Sequence, residues 1–480
     1  MSLLEGLSPQ VRGVSDVLVG DVAYRSDRVE PGSAFFCIPG FAHDGHDFAH
    51  DAAARGAVGI VVEHFLDDIT VPQFKVADTR VALALASAAL WGLPSRDVAV
   101  VGVTGTNGKT TTTYLLDAIL RGDGRTTGIV GTIETRIADQ SEAASRTTPE
   151  SSDLEELLAR MRDAGVSTLS MEVSSHAIDL RRVDGIDFAV AAFTNLTQDH
   201  LDYHHTLEEY FSVKRRLFTD FAVGTRVINV DDPLGAEMAL ELPDVLTVGR
   251  VQGADLRAID ETLSAQGSSF TLAQAQDGKQ VLVRLPLAGA YNVSNALVAA
   301  GCALALGVPL EKIAEGLARA PQVPGRLEKV DNERGLLVVV DYAHTPDSLE
   351  KAIRAVRAVT DGRVIVVFGC GGDRDPEKRP IMGAAAGAAA DLAIVTSDNP
   401  RSEDPVGIIL QIEDGLRGSG GDYEVEVDRR RAIERAISIA GPGDCVLIAG
   451  KGHENYQIFA DQTVHFDDRE VAREILGLTC

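Results

Sequence analysis

The chain has little cysteine and no paired spacing of it. Cys37, Cys302, Cys370, Cys445 and Cys480 are scattered singly, which argues against a disulfide framework or a zinc site and leaves them as reduced, mostly structural thiols. Positive charge is also scarce: 45 Lys and Arg stand against 71 Asp and Glu, a net charge of −26, so no nucleic acid partner is expected. A small anionic substrate is still permitted, provided that arginines and lysines cluster locally. No apolar run approaches the length that crosses a bilayer. The opening MSLLEGLSPQ has neither the basic stretch nor the apolar core of a secretion signal. No membrane contact and a cytoplasmic location are therefore expected.

What is present is a globular composition, 45% hydrophobic and 24% charged, in a chain of 480 residues that is too long for one core. Punctuation by Pro, Gly, Ser and Asp divides it into three expected domains, residues 1–97, 98–327 and 328–480, all of the α/β class.

The most informative stretch is VAVVGVTGTNGKTTTT, from Val98. A valine-rich run over 98–103 reads as a buried strand, and Leu115, Leu116, Ile119 and Leu120 at helical spacing read as the following helix. Gly105, Thr106, Asn107, Gly108, Lys109, Thr110 and Thr111 lie between. Strand, glycine loop and helix form a phosphate cradle: backbone N–H groups aim at an anion, Lys109 supplies a cation, and Thr110 offers a hydroxyl to Mg²⁺. The glycines fall at 102, 105 and 108 and not at the usual P-loop spacing.

Downstream, Thr147-Thr148-Pro149 suits a turn that contacts phosphate or sugar. A strand over 167–173 ends in Glu172, placed like an acid that holds Mg²⁺, and a strand over 188–193 leads to His200, a candidate ligand. In the next helix Tyr210, Phe211, Lys214, Leu217 and Phe218 share one face, whereas Arg215 and Arg216 point elsewhere. Lys214 is thus either a snorkelling lysine or a buried one of lowered basicity, able to act as a base or to take up CO₂ as a carbamate, an anionic metal ligand. Asn292 and Asn295 are one turn apart and read as helix caps or as contacts to a base. Arg326 is free to reach a phosphate.

In the last third, strands over 336–340, 364–368, 392–395, 423–427 and 445–448 alternate with helices, predicting a doubly wound, Rossmann-like, mostly parallel sheet. Loops at its carboxyl edge carry Arg374, Arg379, Arg401 and Glu454, a set suited to a zwitterion because arginine grips carboxylate and the acid takes an ammonium. Gly369-Cys370-Gly371-Gly372 has the wrong spacing for a dinucleotide site.

Taken together, TGTNGKTTT, TTP, MEVSSHA, TNLTQDHLDYH, the helix around Lys214, YNVSNA, DYAHTPD, GCGGDRDPEKRP, DNPR and GKGHE resemble the Mur ligases, ATP-dependent enzymes that build the peptide of bacterial cell wall precursors. The branch most similar adds the third residue to UDP-N-acetylmuramoyl-L-alanyl-D-glutamate. The resemblance implies a UDP-sugar-binding first domain, an ATP-binding central domain and an amino-acid-binding last domain, acting as a monomer. It implies that Lys109, Glu172, His200 and Lys214 serve catalysis. Thr110, Glu172, His200 and a carbamylated Lys214 would hold metal, and Asn295, Arg326 and Asp341 would contact the nucleotide. Ser26, His46, Thr147, Thr148, Ser174 and Arg182 would face the UDP-sugar substrate. Arg374, Asp398, Asn399, Pro400, Arg401, Gly450 and Glu454 would surround the amino acid, and DNPR with its Arg401 matches the version that selects meso-diaminopimelate over L-lysine. Two departures fall at the UDP-sugar end: Arg25-Ser26-Asp27 stands where the family often reads Asp-Ser-Arg, and Leu180 where it often has Gln. Alternatives are the same ligase using L-lysine, a ligase like folylpolyglutamate synthetase, and a P-loop ATPase that makes no bond.

Overall fold

The computed structural model describes residues 3–4, 6–14, 16–41 and 43–478, built on three main sheets. Cys37, Cys302, Cys370 and Cys445 are buried free thiols; Cys480 lies outside the described residues. In the first domain the strands Asp21–Ala23, Ser33–Phe36, Gly59–Val62 and Gln73–Lys75 run parallel, and Gln10–Arg12 closes one edge antiparallel. Successive side chains face opposite ways, so Ala34 and Phe36 pack toward the helix Thr79–Leu90 and Phe35 toward Ala49–Ala54.

The central sheet has eleven strands. Its middle is parallel, and the P-loop strand Ala99–Thr104 lies between Thr168–Glu172 and Phe188–Phe193. Val101 and Val103 enter one core with Leu115, Leu116 and Ile119; Val98 and Val100 enter the other with Leu169 and Phe188. Burial on both faces explains why this strand reads as one apolar run. Each fully buried Val, Leu or Phe here is worth roughly 1.5–3 kcal/mol of transfer free energy. The register sets Glu172 beside Val103 and Phe193 beside Thr104, so three strand ends deliver their loops to one place.

One of the two antiparallel extensions of this sheet has no signal in the sequence. Glu134–Ile137 pairs with Gln140–Ala143, whose four residues are all exposed and therefore carry no hydrophobic pattern. At the other edge the hairpin turned at Asp277-Gly278 joins Gly267–Gln274 to Gln280–Leu285, as its turn residues predict.

The C-terminal sheet is parallel through Leu337–Asp341, Cys445–Ala449, Val364–Phe368, Leu392–Val395 and Tyr423–Val425, with Glu328–Val330 antiparallel at one edge. Val364, Val366 and Phe368 face one helical layer and Ile365 and Val367 the other. The loops after these strands stand side by side at the carboxyl edge. A small hairpin, Tyr456–Ile458 with Thr463–His465, adjoins them.

Candidate active site

The carboxyl ends of the central and C-terminal sheets enclose a cavity of about 470 Å³ lined by the P-loop, Glu172, His200, Lys214, Asn295, Arg326 and the 341–348 loop. Two glycines shape the P-loop. Gly105 has φ +143° and a Cβ there would lie 1.9 Å from Thr194 Oγ1; Gly108 has φ +88° and a Cβ would lie 2.2 Å from Asn295 Oδ1. Gly102 is different, since it sits in the strand and makes room for the Phe188 ring, so it packs the core and does not cradle phosphate.

Lys109 Nζ folds back to donate to Gly105 O at 2.9 Å and Thr106 O at 2.8 Å. Burial lowers its affinity for a proton. Thr110 Oγ1 donates to Glu172 Oε2 at 3.0 Å, and Thr132 N donates to Glu172 Oε1 at 2.8 Å. Arg326 reaches across from the C-terminal side, donating to Thr110 Oγ1 at 3.2 Å while its guanidinium stacks 4.6 Å from the Tyr342 ring centre. Its buried Nε has no hydrogen-bond partner among the described residues, the condition of a donor held ready for an anion. Asp341 is committed to the backbone, accepting from Leu327 N and Ala343 N, and burial raises its pKa. Asn295 is held by Asn292 Oδ1 at 3.1 Å, and Asn292 itself donates to Ala288 O, so Asn292 buttresses and Asn295 faces the cavity.

Lys214 is 1% exposed, which removes the snorkelling alternative. Its Nζ donates to Gly105 O at 3.0 Å, the same carbonyl that Lys109 uses, and lies 4.4 Å from the Tyr210 ring centre. Among the described residues no carboxylate forms an ion pair with it, although the charge of Asp199 acts on it from a distance. Burial, and then the neighbouring Lys109, hold its pKa well below the usual lysine value. His200 has φ +54° and stands near His176 and Tyr210 with Asp199 3.5 Å away; 44% of its side chain is exposed, and the protein packed around the rest lowers its pKa, which favours a neutral ring able to act as a ligand. Among the described residues no group of three or more His, Cys, Asp or Glu side chains forms a ready-made cage. One carboxylate with one hydroxyl in a phosphate-sized cavity is the donor set expected for Mg²⁺, which takes most of its oxygens from phosphate and water.

The P-loop also meets the C-terminal domain directly. Asp347, in the first turn of the helix Pro346–Arg357, accepts from Asn107 Nδ2 at 3.2 Å and Thr197 Oγ1 at 2.9 Å. Sequence reasoning missed this residue because its partners are 240 and 150 positions away.

At the junction with the first domain, Arg182 donates to Thr148 O at 3.1 Å and pairs with Glu150. Arg80 and Arg146 pair with the same carboxylate, at 3.5 and 3.7 Å. Three arginines around one acid make the local positive cluster that an anionic substrate requires in an acidic chain. Thr148 Oγ1 donates to Glu172 O, Thr147 Oγ1 lies 3.0 Å from Thr132 Oγ1, and Ser174 Oγ accepts from Ala177 N as a helix cap. Arg25 and Asp27 pair with each other around Ser26, at 3.0 and 2.7 Å. The expectation for His46 needs correction. It is 6% exposed, with Nδ1 2.6 Å from Asp44 Oδ1 and Nε2 accepting from Glu63 N, so it braces its own loop and has no free ring nitrogen for a ligand.

A second cluster of polar residues lies beyond Tyr342. Asn399 Nδ2 donates to Glu454 Oε2 at 2.9 Å, and burial raises the Glu454 pKa. Asp398 and Asn399 are buried, and Gln457 Nε2 on the small hairpin donates to Asp398 O at 2.7 Å. Arg401 Nη1 donates to Gly372 O at 2.7 Å, and Arg374 is exposed at the rim. Gly372 permits this contact, since a Cβ there would come 1.9 Å from Pro400 O. Arg379 is not part of the cluster: it is 1% exposed and pairs with Glu403 at 2.8 Å from both terminal nitrogens. Lys451, unpredicted, lies at the centre at 0% exposure.

Comparison with known proteins decides the family. Models described as Mur ligase family catalytic domain, Mur ligase middle domain, and Mur ligase glutamate ligase domain match residues 19–89, 103–303 and 325–452. A relative from Geobacillus kaustophilus is 47% identical, covering 93% of each chain. The chain belongs to the Mur ligase family. That relative is named UDP-N-acetylmuramoyl-L-alanyl-D-glutamate–2,6-diaminopimelate ligase, as is one from Geobacillus thermodenitrificans at 45% identity, covering 98% of this Mur ligase and 97% of the relative. A solved structure of the same title superposes with a TM-score of 0.70 at 33% identity, covering 96% of this chain and 95% of that one.

Proposed function

We propose that this Mur ligase joins meso-diaminopimelate to UDP-N-acetylmuramoyl-L-alanyl-D-glutamate at the expense of ATP, in the synthesis of peptidoglycan precursors. The observation that carries the choice of amino acid is the polar cluster beyond Tyr342: Asp398, Asn399 and Glu454 converge near Arg401, and Tyr342 lies between this cluster and the P-loop cavity. A second carboxylate on the incoming amine needs a cation, and L-lysine lacks that carboxylate.

In this reading residues 1–97 hold the UDP-sugar with Ser26, Thr147, Thr148, Ser174 and Arg182, while residues 98–327 bind ATP through Gly105 to Thr111. Asn295, Arg326 and Asp341 contact the nucleotide from either side of the cavity. Residues 328–480 bind the amino acid through Arg374, Asp398, Asn399, Pro400, Arg401, Gly450 and Glu454. The γ-carboxylate of the D-glutamyl residue attacks the terminal phosphorus, giving an acyl phosphate and ADP. The amine then attacks the acyl carbon, phosphate leaves, and the amine loses a proton. Lys109 and the unpartnered Arg326 Nε offset charge on the transferring phosphoryl group. Thr110, Glu172 and His200 would hold Mg²⁺, which supplies charge neutralisation when bound. Lys214, buried with no ion-pair partner among the described residues, is suited to combine with CO₂, losing a proton to become a carbamate and a further anionic ligand. Both ATP and a nucleotide-linked precursor place the reaction in the cytoplasm, with the chain acting as a monomer and needing neither membrane nor nucleic acid.

The test is phosphate release from ATP, measured with and without the UDP-muramoyl dipeptide and with diaminopimelate against L-lysine. Release is expected only with dipeptide and diaminopimelate together. Equal rates with L-lysine would overturn the amino acid assignment, and release with neither substrate would overturn the ligase reading.

A further inference from the structure

Lys451 is among the most deeply buried cations in the protein, yet it sits among the acids proposed above to take the ammonium group of the amino acid. It follows the strand Cys445–Ala449, and Gly450 at φ +116° turns the chain so that Lys451 points back beneath the DNPR loop. Its Nζ donates to Asn399 Oδ1 at 3.1 Å and Glu454 Oε2 at 3.3 Å, and lies 3.5 Å from Asp398 Oδ1, an oxygen with no hydrogen-bond partner.

We propose that Lys451 is a positioning residue that makes this cluster selective for an amine carrying its own carboxylate. The inference rests on the diaminopimelate reading above. Two consequences of the geometry support it. First, Asn399 Oδ1 accepts from both Lys451 Nζ and Ile458 N, at 3.1 Å each, so the amide has one favourable orientation. A flip would set its NH₂ against two donors and withdraw Nδ2 from Glu454. Lys451 thus fixes Glu454 through Asn399 as well as directly. Second, Arg429 is committed to Asp468, and Lys451 offsets one of the two carboxylates of Asp398 and Glu454, leaving one negative charge for an incoming ammonium to neutralise. The carboxylate of the same head group is left to Arg401 and Arg374 at the rim. Without Lys451 the cluster would carry two negative charges and favour amines that bring no carboxylate.

The test uses the full chain and compares the wild type with Lys451→Met, Lys451→Gln and Lys451→Arg in the phosphate-release assay. The neutral variants are expected to raise KM for diaminopimelate about 30-fold, the loss typical of a hydrogen bond to a charged group. KM for ATP and kcat at saturating diaminopimelate should change less than about threefold, by the logic of uniform binding. KM for L-lysine should not rise, so discrimination narrows, and Lys451→Arg should recover part of the loss. A second readout is pH. The groups facing Glu454 are Lys451, Asp398, Arg429, Tyr342 and Tyr456. Removing the cation from that set raises the Glu454 pKa, so the acid limb of kcat/KM for diaminopimelate should move to higher pH.

An unchanged KM and pH limb in a folded variant would overturn the inference. So would a uniform fall in kcat with every KM unaltered, the mark of a merely structural lysine. Should Lys451→Met not fold, Lys451→Gln, which keeps a donor near Asn399 without charge, decides the same question. Failure of the wild type to prefer diaminopimelate would instead overturn the functional reading, and it shows before any variant is made.

Discussion

Lys214 and Lys451 are both buried to within 1% of full exclusion from solvent, one in the central domain and one in the C-terminal domain, and their surroundings are opposite. Lys451 is surrounded by Asp398, Glu454 and the Asn399 oxygen. Lys214 has a single carbonyl, which it shares with a second lysine. A buried charge is tolerated when paired and hydrogen-bonded and otherwise sheds its proton. The difference therefore separates two kinds of work. In the C-terminal cluster the lysine organises acids for a ligand, whereas in the P-loop cavity burial beside Lys109 weakens the lysine's hold on its proton.

The largest effect that would break this comparison is at Lys214. Lys214→Ala should lower ligase activity about 10³-fold, the scale of removing a metal or electrostatic anchor. Added short carboxylic acids should restore part of it by standing in for a carbamate. An unmodified intact mass for the wild-type chain together with no rescue would sink the carbamate and leave Lys214 as a packed amine.

A smaller effect tests the same desolvation rule with the sign reversed. Glu155 is 1% exposed, its Oε2 has no hydrogen-bond partner, and burial with Asp187 nearby pushes its pKa from 4.5 to about 8. The native state keeps this proton where the unfolded chain has lost it. Stability is thus full below about pH 4.5 and declines as the pH rises to about 8. Glu155→Gln removes the titration and should stabilise the protein by on the order of 2 kcal/mol at pH 8, with the gain shrinking toward pH 5. Denaturant melts at the two pH values measure it, and an equal effect at both would show that Glu155 is not paying a desolvation cost.

The smallest effect concerns the link between the two regions. Asp347→Ala removes two hydrogen bonds between the domains and should lower kcat/KM for ATP about tenfold, with Asp347→Asn intermediate. A change confined to the amino acid KM would show that the contact does not serve the P-loop.

Much of the central site was legible along the chain because it is local. The P-loop lies within one strand–turn–helix, and Glu172 and His200 follow strands whose apolar runs mark their ends. The helical spacing that put Lys214 on the apolar face was also local, and its burial bears that out. The arginines of the last domain were harder to sort. Arg379 and Arg401 look alike in a polar loop, and only the partner Glu403 separates a structural cation from one at the cluster. His46 misled for the same reason, since its partner Glu63 lies on the next strand's exit.

By itself the sequence determined the class of fold, the position of the phosphate cradle and the side of each helix that is buried, because these follow from short-range periodicity and backbone chemistry. Tertiary structure alone decided which charged groups have partners. Lys214 finds Lys109 and, among the described residues, no acid in ion-pair contact; Lys451 finds two acids, Arg326 finds Thr110 from 216 positions away, and Asp347 reaches the P-loop. The energy of a buried charge depends on what lies within a few ångströms of it, and that neighbourhood is assembled from strands far apart in the chain.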